Sequence, residues 1–245
     1  GTDTLEETAW LLQVLLGPLL REMGKPVVLT CAMRPADAPD ADGPGNLRDA
    51  LQVLVESGMH EVLAVCARRI MKASAVQKVH ATCLDAFRSG GQPDLGRIVD
   101  GSVADVGRMA RWSSTPGSED ARDSASVPVV SAGRLELALS TPSWPRVELL
   151  YSHAAAGGAL VQALCDADLA RQLGVAPVRG LVVAATGNGT VHRDLEVALG
   201  WAQARGVRVL LATRCAEGGL KAKARSGEET GFATTDLSRS RRAYR

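Results

Sequence analysis

In the second half of this chain, apolar runs of strand length alternate with longer stretches of helical spacing. That alternation narrows the fold more than any other feature. Val147–Tyr151, Leu181–Ala185 and Val207–Ala212 are short and dense in Val, Leu and Ala, whereas Ala159–Leu173 and Leu195–Arg205 are long enough for helices. A strand–helix–strand–helix–strand order of this kind closes as parallel strands with helical crossovers, so residues 147–245 read as an α/β domain with a parallel, Rossmann-like sheet. The first half begins with a helix over residues 5–22, which Pro18 is expected to kink or shorten. A strand over Pro26–Cys31, a loop from Met33 to Asn46, a helix over Leu47–Glu56 and a strand over Glu61–Cys66 follow, again an α/β order. Arg97–Val99 and the segment after Asp100-Gly101 read as a hairpin, because Asp-Gly accommodates the positive φ of a tight turn. Ser113–Val127 is rich in Ser, Thr, Pro, Gly, Glu and Asp and reads as an exposed loop or linker. The expected organisation is therefore a first domain over 1–125, a linker region over 126–146 and a second domain over 147–245. Asp236-Leu237-Ser238 resembles a helix start close to Arg245, so both ends read as cut within an element.

Composition excludes more than it selects. At 245 residues with 46% hydrophobic and 22% charged side chains, the chain can bury a core and is not of the disordered class. A net charge of +1 argues against nucleic-acid or membrane-surface binding driven by bulk charge, and no apolar run is long enough to span a bilayer. The basic tail (Arg239, Arg241, Arg242, Arg245) lacks an aromatic stacking platform and reads as a solvated helix face. The five cysteines (Cys31, Cys66, Cys83, Cys165, Cys215) read as buried thiols of a reducing compartment, which favours a cytoplasmic address and leaves a periplasmic one open.

Three places carry candidate chemistry. Gly1-Thr2-Asp3-Thr4 sets a hydroxyl beside a carboxylate at the mouth of a helix, where Thr4 with Glu7 fits a capping box and acids occupy the first turn. Lys78 stands in Ala75-Val76-Gln77-Lys78-Val79-His80-Ala81-Thr82. A lysine buried beside a threonine can take the hydroxyl proton and create a nucleophile, but sequence spacing leaves open whether Thr2, Asp3 and Lys78 meet. Gly187-Asn188-Gly189 lies between a strand and a helix, yet His192 replaces the third glycine of a phosphate-binding pattern, so a plain tight turn is favoured. His80 and Cys83 are three apart without a second ligand pair of zinc spacing; no Walker A pattern and no G-x-S-x-G elbow are present.

Taken together and in order, these segments resemble the bacterial-type L-asparaginase/glutaminase family over essentially the whole chain. Gly1-Thr2-Asp3-Thr4-Leu5-Glu6-Glu7 is similar to its second signature, followed by Ala32-Met33-Arg34-Pro35, Ala41-Asp42-Gly43-Pro44 with Asn46-Leu47, and Lys78 with Thr82 and Asp85-Ala86-Phe87. Val182 to Thr190, Arg214-Cys215 and Gly231-Phe232 continue the similarity. The resemblance implies a two-domain α/β fold, with a larger mixed-sheet N-terminal domain and a smaller parallel-sheet C-terminal one. It implies hydrolysis of L-asparagine to L-aspartate and ammonia through a threonine-based acyl-enzyme. Carried over by motif, Thr2 is the hydroxyl of the second catalytic cluster, Asp3 binds the substrate α-amino group, Lys78 tunes Thr2 or its attacking water, Ala32 lies by the substrate amide through its backbone, and Gly1 belongs to the substrate-binding turn. It also implies L-glutamine as a second substrate, no metal or organic cofactor, and a homo-oligomer, a dimer or a homotetramer, with sites between subunits and neither nucleic-acid nor membrane partners. Alternatives within reach are a related glutaminase-asparaginase, a subunit of a tRNA-dependent amidotransferase, or a non-catalytic amino-acid-binding relative. The family's first signature, with its primary nucleophilic threonine, and its closing C-terminal helices have no counterpart here, so the sequence is expected to be incomplete and catalytically incompetent without that segment. After Tyr151-Ser152-His153-Ala154 the chain has Ala155, Ala156 and Gly157 where the family has a polar inter-subunit contact, and Ala224, with Glu228 and Glu229 nearby, stands near the place of an acidic residue.

Overall fold

The computed structural model describes residues 1–104, 132–216, 220 and 232–234. The sequence readings at Ser113–Val127, at Ala224–Gly231 and in the Asp236–Arg245 tail lie outside the described residues. The chain divides into two compact units, residues 1–141 and 142–245.

The first unit is organised by which side chains can leave water. Helix α1 (Leu5–Met23) buries Leu5, Ala9, Trp10, Gln13, Gly17 and Leu20, a single stripe at helical spacing. It ends at Gly24, whose left-handed φ of 63° lets its N–H reach back to the last turn. Pro18 neither shortens nor ends α1: a proline forfeits one helical donor, and the buried stripe on both sides keeps the segment in one helix. Strand β1 (Val27–Thr30) runs parallel to β2 (Val62–Cys66), with Val27 opposite Val62, and α2 (Gly43–Glu56) makes the crossover. Pro44 lies in the first turn of α2, where its missing N–H costs nothing, so the helix begins inside the segment expected as loop. The two faces of β2 feed two cores. Val62, Ala64 and Cys66 join Leu5, Ala9, Met71 and Phe87, while Leu63 and Val65 join Ala50, Val53, Ile70 and Ile98.

Three strands described in this unit were not read from the sequence. They are β3 (Arg69–Lys72), antiparallel to β2, and the ribbon of β4 (Val76–Lys78) with β5 (Phe87–Ser89). The expected hairpin is present as β6 (Gly96–Val99) and β7 (Ser102–Ala104), turned by Asp100 and Gly101 at φ 50° and 80°. The main sheet has the order β1-β2-β3-β6-β7 and is mixed. Helix α3 (Ala132–Ser140) closes the unit.

The second unit shows the parallel sheet that its alternation predicts. Strands β8 (Arg146–Tyr151), β9 (Val178–Ala185), β10 (Arg208–Thr213) and β11 (Ala233–Thr234) are all parallel, in the order β11-β10-β9-β8. The single helix expected over Ala159–Leu173 is two, α4 (Ala159–Cys165) and α5 (Ala167–Gln172). Asp166 separates them: its extended backbone lets the carboxylate accept from Asp168 and Leu169 N–H, which starts a new helix. Helix α6 (Arg193–Gln203) is capped by His192, and Leu195, Leu199 and Ala202 pack with Leu181, Val183 and Leu211. Gly187 and Gly189, at φ 48° and 93°, form a tight turn closed by a Thr186–Thr190 bridge and anchored by a 2.6 Å bond from the Thr213 hydroxyl to the Gly187 carbonyl. No helix among the described residues is long and apolar enough to cross a membrane.

Candidate active site

Residues 76 positions apart in the chain meet at the mouth of α1. The Lys78 ammonium donates to Thr2 Oγ1 at 2.8 Å and lies 3.4 Å from Asp3 Oδ1. Thr2 Oγ1 is itself 3.4 Å from Asp3 Oδ1, so hydroxyl, carboxylate and amine form one cluster. The Lys78 side chain is 23% exposed and Asp3 94%: the amine is sheltered and the carboxylate faces solvent.

The helix start differs from the expected capping box. Thr4 has φ −118° and ψ 16°, outside the extended region that aims an N-cap hydroxyl at the next turn, and makes no side-chain cap bond. Glu7 Oε2 is buried without a hydrogen-bond partner among the described residues. The first-turn acid with a visible structural task is Glu6, whose Oε1 accepts from the backbone N–H of Lys78 at 2.5 Å. Sequence reasoning saw Glu6 only as an acid near a helix dipole. In the fold it ties β4 to α1 and sets where the Lys78 stem begins.

The second wall comes from the loop between β1 and α2. Ala32 is exposed, just past β1, and the backbone around it is held by Asp42 and Asn46. Asp42 accepts from the N–H groups of Met33, at 2.9 and 3.0 Å, and Arg34, at 2.9 Å. Burial pushes the Asp42 carboxyl up, but these donors and the Asn46 amide outweigh it and hold it below the usual carboxylate range. Asn46, buried, donates to the Cys31 carbonyl at 2.9 Å and to Asp42 at 3.0 Å, and accepts from Ala67 N–H at 3.0 Å. Arg34 reaches the Thr82 carbonyl at 3.1 Å, linking this loop to the segment after Lys78. Leu5, Cys31 and Val76 share one core cluster, so the three chain segments that carry Thr2, Ala32 and Lys78 are rooted together. Asp85 pairs with Arg69 at 3.0 Å and also with Arg88, which fixes β5 against β3. Gly1 is exposed beside Thr2, with open space where a Cβ would stand.

His80 and Cys83 do meet, at 3.4 Å between Nε2 and Sγ, but His80 Nδ1 is taken up by the N–H groups of Thr82 and Cys83. That is a side chain capping a turn, and among the described residues no group of three or more His, Cys, Asp or Glu is arranged for a metal. Beyond Tyr151, Ala155 is exposed and Ala156 buried, with Gly157 following.

The cluster belongs to a unit built on a mixed sheet, and a parallel-sheet unit follows it in the chain. Residues 1–109 match the family described as Asparaginase, N-terminal, and residues 146–240 the Glutaminase/Asparaginase C-terminal domain. The solved structure of a probable cytoplasmic L-asparaginase from Campylobacter jejuni superposes with a TM-score of 0.76 at 30% identity, covering 100% of this chain and 69% of that one. A probable L-asparaginase of Deinococcus radiodurans is 36% identical over 217 residues, 87% of this chain and 55% of that protein. L-asparaginase 2 of Bacillus subtilis is 30% identical over 220 residues, 89% of this chain and 50% of that protein. The chain belongs to the bacterial-type asparaginase family and has its two-domain fold. It spans about half the length of the curated relatives it matches.

Proposed function

We propose that the protein hydrolyses the side-chain amide of L-asparagine to L-aspartate and ammonia, with L-glutamine as a second substrate, through a threonine-based acyl-enzyme. The observation that carries this reading is the 2.8 Å bond between Lys78 Nζ and Thr2 Oγ1. In such a reaction a hydroxyl attacks the amide carbon, ammonia leaves, and water cleaves the resulting ester. Both steps need a proton removed from an attacking oxygen and one delivered to the departing group. Lys78 is placed to exchange a proton with Thr2, and so to tune that hydroxyl or the water it orients. Asp3, anionic and solvent-facing, suits the α-ammonium of a free amino acid. Gly1 belongs to the same turn, and the backbone at Ala32, braced by Asp42, borders the amide. These groups supply acid–base and substrate-holding side chains, and the proposal calls for no metal or organic cofactor. It includes a homo-oligomer, a dimer or a homotetramer, working on asparagine breakdown in the cytoplasm.

The test is ammonia release from L-asparagine and L-glutamine by wild type, Lys78→Met and Thr2→Val. Loss of positioned proton transfer lowers kcat by about 10²–10⁴-fold in both variants, while L-aspartate still binds in calorimetry. Turnover in Lys78→Met equal to wild type overturns the assigned role. Aspartate binding by a full-length protein that releases no ammonia makes it a binding relative instead.

A further inference from the structure

Two cysteines that the proposed reaction does not use stand side by side beneath the Ala32 loop. Cys31 follows β1, and Cys66 ends β2. The parallel register runs Val27 to Val62 through Thr30 to Val65, so the next pair in line is Cys31 with Cys66. Neighbouring strands bring Cα atoms to about 4.8 Å, inside the range a disulfide spans. The two Sγ atoms are 3.1 Å apart and both residues are buried, Cys31 at 8% exposure and Cys66 at 2%, yet both are free thiols. The two are not equivalent. The hydrogen bond between the two thiols draws the Cys31 thiol below its ordinary pKa against burial, while the same bond and burial push Cys66 up. Cys31, the more exposed of the two, is the thiol an oxidant reaches first, and Cys66 is the resolving thiol.

We infer that Cys31 and Cys66 form a reversible disulfide site that latches β1 to β2 directly under Ala32 when the protein meets a small peroxide. Hydrogen peroxide is the oxidant, small enough to reach a thiol that is 8% exposed. The Cys31 thiolate attacks one peroxide oxygen, the O–O bond breaks, and the departing hydroxide takes a proton to become water, leaving a sulfenic acid. Cys66 sulfur then attacks the Cys31 sulfur, the S–O bond breaks, and the hydroxyl leaves as a second water with the Cys66 proton. Two thiols and one peroxide give one disulfide and two waters, and a dithiol reverses it by exchange. The latch sits one residue from Ala32, and the Cys31 carbonyl is already held by Asn46.

The other described thiols supply internal controls. Cys83 and Cys215 are free and exposed, so they meet an oxidant in solution before the buried pair does. Trypsin cuts after Arg21, Arg48 and Arg68, while Lys25-Pro26 and Arg34-Pro35 resist, so Cys31 and Cys66 fall in separate peptides, 22–48 and 49–68. The experiment treats the folded protein with hydrogen peroxide, blocks remaining thiols after unfolding, digests without reductant and reads the peptides by mass spectrometry. The expected product is the 22–48/49–68 pair, two hydrogens lighter than the sum of its parts. It persists in Cys83→Ser, is absent in Cys66→Ser, and returns to free thiols with dithiothreitol. The same oxidation raises the thermal unfolding midpoint of wild type but not of Cys66→Ser. Wild type whose Cys31 and Cys66 remain alkylatable while Cys83 and Cys215 oxidise overturns the inference. So does Cys31 stopping at sulfinic acid with no link, or a linked form whose midpoint does not rise.

Discussion

Glu6, Asp42 and Asn46 show how much of the proposed site rests on side chains that hold backbone in place. Glu6 fixes the backbone from which Lys78 projects, so Glu6→Ala is expected to lower ammonia release by about tenfold, whereas Glu6→Gln, which keeps an oxygen acceptor for the Lys78 N–H, restores most of it. Activity in Glu6→Ala equal to wild type would show that β4 holds Lys78 without this bond. Asp42 makes a prediction about acid. Its folded-state pKa is depressed, so its stabilising contribution is fully present above the unfolded value of about 3.9 and is lost as pH falls through the lower folded value. Urea midpoints followed from pH 7 downward should therefore drop more steeply below about pH 4 in wild type than in Asp42→Asn, which starts lower at pH 7 and lacks this titration. Parallel curves for the two proteins would remove Asp42 from the acid response. The sequence displayed Thr2, Asp3 and Lys78, but their encounter depends on a two-stranded ribbon that no local pattern announces. Glu6 gave a weaker signal still, because an acid in a first helical turn already has an ordinary electrostatic explanation.

At the scale of elements, the legible pieces were those with either a long buried stripe or a turn residue suited to positive φ. The β6–β7 hairpin could be read from Asp100-Gly101. The β2–β3 hairpin could not, because its turn is Ala67-Arg68, two residues that rarely take the φ of 48° and 62° they hold here, and because β3 reads Arg-Ile-Met-Lys with charges at both ends. Tertiary contacts impose that turn: Asn46 Oδ1 takes the Ala67 N–H, and Ile70 and Met71 are fully buried on opposite faces of the sheet. A left-handed non-glycine residue costs about 1–2 kcal/mol, partly offset by the greater freedom glycine loses on folding. Arg68→Gly is accordingly expected to raise stability by roughly 0.5–1 kcal/mol in denaturant unfolding, with the Ala67–Asn46 bond intact. A fall in stability would mean that the Arg68 side chain contributes more than its backbone strain. The split of the expected 159–173 helix follows the same logic in reverse. Asp166 lies within a helical pattern, yet its carboxylate serves two N–H groups better as a cap than it could as a helical residue.

For the whole molecule, the open question that the surface addresses is assembly. Helix α2 turns Asn46, Ala50 and Val53 inward, at i, i+4 and i+7, against the sheet. One residue further round, Leu47 and Leu51 are each 55% exposed, Leu54 is 41% and Val55 is 84%, a second apolar stripe of the same period on the solvent side. Single exposed leucines are ordinary, but three with a valine on one helix face form a patch of the kind that oligomers cover. Sequence periodicity alone could not separate the two stripes, since both repeat every three to four residues and only the sheet decides which is inside. The proposed homo-oligomer makes this outer stripe a subunit contact, so light scattering should give a mass that is a multiple of 25.7 kDa. Leu51→Lys places a charge in the stripe without touching the buried one, and it is expected to shift the mass toward the single chain with the unfolding midpoint of the dissociated protein little changed. The substitution separates two ideas that the fold otherwise leaves joined. If wild type is already a single chain at every concentration tried, α2's outer face is not an interface between copies; if wild type is multimeric and Leu51→Lys remains so, the subunits meet elsewhere.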